Sequence, residues 1–270
     1  MRVDVSATVR GARAAVYWLA SPFDRFGRRL AGLPTLPPLW LRRHAGAITA
    51  WERSVRDTAG FLDRLELASD AAVVLDVGCG PGAMVEALTE RLPPNGRYVG
   101  FDVHAPSIRW CRRRWSGDSR IRFELAAVRS AYGAAAGPPV SSYRFPLEDG
   151  EGDLVLAKSV FTHLLEADAR HYLSEIRRVL GAGRPAVVTA FLFDRNHREL
   201  EAVRRAFPFE GNGGAVRLRR SARPTAAVAF DRNTFWKMVE DSGLRVVWHS
   251  AGFYPGRSRL DAQDVLLLGH

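Results

Sequence analysis

The residues best suited to chemistry stand at the ends of short apolar runs. Asp76 lies in "VVLDV", which is followed at once by Gly78-Cys79-Gly80-Pro81-Gly82 and the helical pattern "AMVEAL". Asp102 closes the next run, "RYVGFDV", and Lys158 and Ser159 close "DLVLAKS", with His163 a few residues further on. A strand, a glycine turn and a helix are how α/β proteins grip a nucleotide-like ligand. Gly78, Gly80 and Ala83 also satisfy the letters of a dinucleotide fingerprint, but Asp76 argues against that ligand. A dinucleotide sets its pyrophosphate over the glycines and the helix N-terminus, where a carboxylate just before the turn would repel it. A ligand that carries an ammonium group and no phosphate suits the same place. The glycines let backbone approach such a ligand closely. Asp102 is placed to accept ribose hydroxyls of either ligand.

The elements that must hold these residues alternate regularly. Val73 to Val77, Arg97 to Val103, Ile121 to Ala127, Asp153 to Ser159 and Ala186 to Phe193 read as strands. Helical patterns follow the glycine turn, run from Pro106 to about Trp115, and recur in Ala169, Tyr172, Leu173, Ile176, Val179 and Leu180. Residues 129–146 are rich in Gly, Pro and Ser and read as loop. A helix to about Phe207 precedes the basic stretch "PFEGNGGAVRLRRSARPT", which reads as irregular. A helix around Phe235 to Met238 and the strands "LRVVWHS" and "DVLLLGH" complete the chain. This order predicts a doubly wound α/β sheet with its ligands at the carboxyl ends of the strands.

Ahead of that domain, residues 1–70 read as a helical lid. Val9, Ala12, Val16, Leu19, Phe23, Phe26 and Leu30 mark one helix face. Ser21-Pro22 sets an N-cap beside a proline, so two helices are expected rather than one. Ile48, Trp51, Val55, Leu62 and Leu65 mark a further helix. An amphipathic N-terminal helix can bind a membrane surface, but packing of its apolar face on the next domain is the expectation.

Composition bounds the setting. The chain has 270 residues, 47% hydrophobic and 25% charged, enough for one large domain with an appendage. Cys79 and Cys111 have neither metal-ligand spacing nor a disulfide framework, which fits a reducing, cytoplasmic compartment. No apolar run approaches the roughly 18 residues of a membrane span. "AAVYWLA" behind Arg10 and Arg13 lacks a convincing small-residue cleavage site and is not read as an export signal. Net charge is +10, and among 39 basic residues only Lys158 and Lys237 are lysines. Arginine forks suit carboxylates and phosphates, so an anionic small substrate, nucleic acid or a membrane surface would each match. A compositional bias of the genome, with most arginines merely solvated, matches as well.

"LDVGCGPG" followed by "GFDV" resembles the class I S-adenosylmethionine-dependent methyltransferases. "SIRWCRRRW", "KSVFTHL", "YLSEIRRVL" and the terminal "QDVLLL" resemble a bacterial branch that acts on small molecules. The resemblance implies a Rossmann-like seven-stranded sheet in the order 3-2-1-4-5-7-6 with the last strand antiparallel. It implies a methyltransferase domain over 71–270, with a substrate-side insert near 194–230. It also implies that Asp76, Gly78 and Gly80 hold the methionine end of S-adenosylmethionine and Asp102 the ribose, with Val103 against the adenine. The family's usual carboxylate for the adenine amino group falls here on Ala127, leaving that contact to backbone near Val128 or missing. Lys158 and Ser159 should border the cofactor.

Methyl transfer to a hydroxyl or activated carbon invites a general base, and His163 is the candidate, histidine's ordinary pKa suiting the task. Packing of the following helix is the alternative for that residue. The fourth strand is followed by none of the signatures of amino-methylating or cytosine-methylating enzymes, and no Asp/Asn cluster suggests a magnesium site. The expectation is metal-independent O-methylation of a small molecule in a bacterial biosynthetic pathway, an anionic acceptor being one match for the arginines. A nucleic-acid partner is not expected, and a homodimer is left open. The alternatives are an RNA-modifying methyltransferase that uses the arginine surface and a non-catalytic partner protein of the same fold.

Overall fold

A computed structural model describes residues 5–32, 36–44, 51–64, 71–193, 209–210, 215–219, 224–251 and 263–270. Five parallel strands form the centre of its sheet: β1 (Val73–Val77), β2 (Arg97–Asp102), β3 (Ile121–Leu125), β4 (Leu154–Ala157) and β5 (Ala186–Phe193). They lie in the order β3-β2-β1-β4-β5. Beyond β5, the C-terminal strand β10 (Asp264–Gly269) inserts antiparallel and pairs with β9 (Arg245–Ser250). With β10 as the family's seventh strand and β9 as its sixth, this is the order 3-2-1-4-5-7-6.

Alternation along the strands divides the core into two layers. Leu75 and Val77 face one side with Val99, Phe101, Val155 and Ala157, covered by α6 (Glu166–Val179) and α7 (Arg232–Asp241). Val74 faces the other with Tyr98, Leu154 and Leu156, under α4 (Ala83–Leu88) and α5 (Ala105–Arg114). Trp115 is buried in that second layer, while Arg112, Arg113 and Arg114 are exposed. Asp264, at the start of β10, fastens three strands. Its carboxylate accepts from His249 Nε2 at 2.8 Å on β9 and from the Leu192 amide at 3.2 Å on β5.

The basic stretch that reads as irregular contains strands. β6 (Phe209–Glu210), β7 (Val216–Arg219) and β8 (Val228–Asp231) form an antiparallel run, and β8 pairs in parallel with Phe191–Phe193 of β5. Val216 and Leu218 pack at the edge of the first core layer. Their period of two is only two apolar residues long and is interleaved with arginines, too brief a signal beside the flanking glycines. The helix expected up to Phe207 lies outside the described residues.

The N-terminal segment also differs from expectation. Helix α1 (Val5–Leu30) runs unbroken through Pro22. Ser21 does not cap a new helix: its Oγ donates back to the Tyr17 carbonyl at 2.7 Å. A mid-helix proline forfeits a backbone bond, but the turn after it is fastened from outside. Asp24 pairs with Arg42 on α2 (Leu39–His44), and Arg28 pairs with Glu52 on α3 (Trp51–Arg64) at 2.7 Å. Helix α3 in turn sits on α4, where Trp51 Nε1 donates to Glu86 at 2.9 Å. The polar line Tyr17, Ser21, Asp24 and Arg28 thus faces the protein, and Val16, Leu19, Phe23, Phe26 and Leu30 of the apolar stripe expected to pack inward are exposed, while the side chains of Val9 and Ala12 lie outside the described residues.

Candidate active site

Asp76 sits in a strand of apolar neighbours because it has its own partner. It is 1% exposed, on the α4/α5 side of β1, and the Tyr98 hydroxyl on β2 donates to its carboxylate. Gly100, paired with Asp76 in register, makes room for that phenol: a Cβ there would stand 3.0 Å from the Tyr98 ring and from Cys79 Cβ. Burial pushes the Asp76 carboxyl up to about 7, with the Tyr98 hydrogen bond and the Lys158 ammonium opposing and the Asp102 charge adding to the rise. Buried Cys79 and Cys111 have their thiols pushed upward by desolvation, and both lie against the Gly80 carbonyl, at 3.7 and 3.5 Å. They are protonated at neutral pH and act as packing groups.

The turn after β1 needs its glycines for two reasons. Gly78 has φ +68, and a Cβ on it would stand 2.6 Å from Val160. Gly82, which precedes α4, has φ +91, and its Cβ would meet the Trp115 ring at 2.9 Å. Gly80 has φ +51 and nothing within 4 Å of where a Cβ would be, so it presents bare backbone. Asp102 ties this turn to β2: one oxygen accepts from the Gly80 amide at 2.8 Å and the other from the His104 amide at 2.7 Å. Each oxygen then has a second lone pair, enough for two vicinal hydroxyls. Val103 is half-buried, and Gly133 passes so near it that a Cβ would stand 2.6 Å from the Val103 carbonyl. Ala127 is exposed just beyond β3, and Val128 is buried, its amide donating to the Ala126 carbonyl at 2.9 Å.

At the end of β4, Lys158 is exposed and Ser159 has a left-handed backbone, φ 60. A serine holds that conformation only when its surroundings fix it. Its amide donates to Thr189 Oγ1 at 2.7 Å, and its hydroxyl accepts from Gln263 Nε2 at 2.9 Å. His163 follows in a short helical turn, with Nδ1 at 3.0 Å from the Thr225 carbonyl and 3.1 Å from the Tyr132 hydroxyl. A carbonyl can only accept, so in the neutral ring this contact favours the proton on Nδ1 and the lone pair on Nε2. Among the described residues no group of three or more His, Cys, Asp and Glu could hold a metal ion.

The residues singled out from sequence therefore meet at the carboxyl ends of β1, β2, β3 and β4. Tyr98, Tyr132, Thr189, Thr225 and Gln263 were not foreseen. Tyr98 and Thr189 lie within apolar strand patterns, and the others act through contacts remote in sequence. Arg217 and Arg219 lie on β7, while Arg220 and Arg223 are outside the described residues. A buried carboxylate, bare backbone at Gly80 and a half-buried Asp102 fit a nucleoside that carries an ammonium and no phosphate.

Comparison with known proteins agrees. A family profile described as a methyltransferase domain matches residues 74–183. Trans-aconitate 2-methyltransferase of Azoarcus sp. (strain BH72) is 30% identical over 210 residues, 73% of this chain and 72% of that protein. An uncharacterized 37.1 kDa protein in transposon TN4556 of Streptomyces fradiae is 29% identical over 150 residues, 49% of this chain and only 39% of that protein's length. In fold, the chain is similar to 1,6-didemethyltoxoflavin-N1-methyltransferase of Burkholderia thailandensis, with a TM-score of 0.53 at 17% identity, covering 87% of this chain and 91% of that one. The chain belongs to the class I S-adenosylmethionine-dependent methyltransferases.

Proposed function

We propose that this enzyme methylates an oxygen of a small, anionic acceptor, with His163 as the general base. The observation that carries this reading is the Thr225 carbonyl 3.0 Å from His163 Nδ1, a contact that in the neutral ring favours the lone pair on Nε2. S-adenosylmethionine, when bound, supplies an electrophilic methyl group whose leaving group becomes neutral. The chain's own task is then mostly placement. Asp76, Gly78 and Gly80 surround the methionine end, Asp102 accepts the ribose hydroxyls, Val103, Ala127 and Val128 border the adenine, and Lys158 and Ser159 stand between cofactor and acceptor. The segment 1–70 and the insert near 194–230 cover the acceptor side, and the enzyme works in the cytoplasm.

Two features support an acidic acceptor: the relative from Azoarcus is named for trans-aconitate, and the insert strand β7 carries Arg217 and Arg219. The test is methyl-labelled cofactor with trans-aconitate, a panel of small hydroxy acids, and total RNA. Label on the hydroxyl of a hydroxy acid supports the whole reading. Label on trans-aconitate, whose carboxylates are already ionised and have no proton for His163 to remove, supports the anionic acceptor and not the base. Label in RNA alone overturns the reading. His163→Ala should lower kcat about 10²–10⁴-fold while S-adenosylhomocysteine binding survives. A near-normal rate would return His163 to packing.

A further inference from the structure

Helix α1 carries two opposed faces. Tyr17, Ser21, Asp24 and Arg28 turn toward α2 and α3. Val16, Leu19, Phe23, Phe26 and Leu30, at spacings of three and four, form a stripe on the far side. This stripe is open to solvent: Leu19 is 60% exposed, Phe23 78%, Phe26 64% and Leu30 74%. At 3.6 residues per turn these five positions fall within an arc of about 80°, a single face. Trp18 is 63% exposed and shares one flank of the stripe with exposed Arg25 and Arg29. A monomer seldom leaves so much contiguous apolar side chain in water without a use for it.

Charge selects what covers the stripe. The charges beside the stripe are Arg25 and Arg29, both exposed, while Asp24, the helix's one acid, is paired with Arg42 and Arg28 with Glu52. The whole chain carries +10. A second copy would bring like charges together along the rim of the stripe, which penalises that pairing. An anionic bilayer offers acyl chains to the stripe and phosphates to the arginines. Aromatic and aliphatic residues on one face, with tryptophan and arginine beside them, make up a helix that lies in the interface plane. No helix among the described residues is long and apolar enough to cross a membrane.

We propose that α1 is a membrane-surface helix. It lays Val16, Leu19, Phe23, Phe26 and Leu30 into the boundary of an anionic bilayer while Arg25 and Arg29 meet lipid phosphates. The ion pairs Asp24–Arg42 and Arg28–Glu52 keep the methyltransferase domain attached to the other side of the helix.

The test is sedimentation of the full chain with vesicles of phosphatidylcholine alone or mixed with phosphatidylglycerol. Binding should require phosphatidylglycerol. The double variant Phe23→Ser/Phe26→Ser should weaken it at least about tenfold with an unchanged melting temperature, since both side chains are exposed. Arg25→Gln/Arg29→Gln should weaken it by roughly fivefold per arginine at low salt. Three results would overturn the proposal. One is no excess binding to anionic vesicles. Another is anionic binding that ignores the phenylalanine pair, which would be general adhesion of a basic protein. The third is a dimer, seen by light scattering and dissolved by the same pair, in a chain that ignores vesicles.

Discussion

Raising the pH from 6 to 8 should tighten S-adenosylhomocysteine binding about tenfold. Asp76 is the carboxylate proposed to face the ligand's ammonium, and burial lifts it to about 7, into this window. The ligand's ammonium gains only from the ionised form. That form is about a tenth of the population at pH 6 and about nine-tenths at pH 8, so the apparent affinity follows the ionised fraction. Calorimetry at fixed ionic strength, in buffers of differing ionisation enthalpy, gives both the affinity and about half a proton released per ligand at pH 7. Asp76→Asn should bind weakly with no slope through this window. The same variant carries a stability signature. A carboxyl whose folded pKa is raised from 3.8 to about 7 stabilises the fold fully only below its unfolded pKa, and the contribution is lost as pH rises through 7. That loss is about 4 kcal/mol at most. Asparagine, which keeps an acceptor for the Tyr98 hydroxyl, should therefore raise the melting temperature at pH 8 more than at pH 5. A flat wild-type profile, or an equal slope in Asp76→Asn, would refute the assignment of Asp76 to the ammonium.

Asp102→Ala should weaken S-adenosylhomocysteine by about 1–3 kcal/mol, the cost of unpaired buried hydroxyls, and an unchanged Kd in calorimetry would mean the ribose lies elsewhere. Gly82→Ala should destabilise the fold by about 1–3 kcal/mol, because a Cβ at φ +91 meets the Trp115 ring at 2.9 Å; chemical denaturation reads it, and a neutral result would show that the α4 entrance can relax. Turnover should withstand EDTA, and activity lost to EDTA and restored by magnesium would overturn the metal-free expectation.

How far the sequence could be read depended on whether a residue's partner was local. The strands and the glycine turn were legible because their signals are short-range, a run of Val and Leu, then Gly78 and Gly80 where the chain must turn, whereas the spatial order of the strands came only from the family resemblance. Asp76 was recognisable as out of place, but its partner Tyr98 is fixed by strand register, which no local pattern encodes. His163 was a candidate by residue type, whereas its tautomer depends on Thr225, brought near by the insert. From Val16 to Leu30 the α1 stripe was read correctly as periodic and wrongly as inward-facing. Periodicity says that a face is apolar and not what covers it, and the deciding contacts were two ion pairs to other helices. Ser21-Pro22 looked like a helix start for the same reason, since local preference yields to external fastening.

Strand β5 pairs with β10 along Ala186–Ala190 and with β8 along Phe191–Phe193. The strand is therefore a branch point, its first part belonging to the cofactor sheet and its last three residues serving as a graft site. Whatever follows Phe193 has to match only that short edge in order to join the sheet. If the insert selects the acceptor as proposed, a descendant of this chain can exchange that specificity by replacing one contiguous segment, with the glycine turn, Asp76 and Asp102 inherited intact. Evolutionary divergence within such a lineage should concentrate after the branch, and chimeras joined at Phe193 should fold more readily than chimeras joined within β1 to β4.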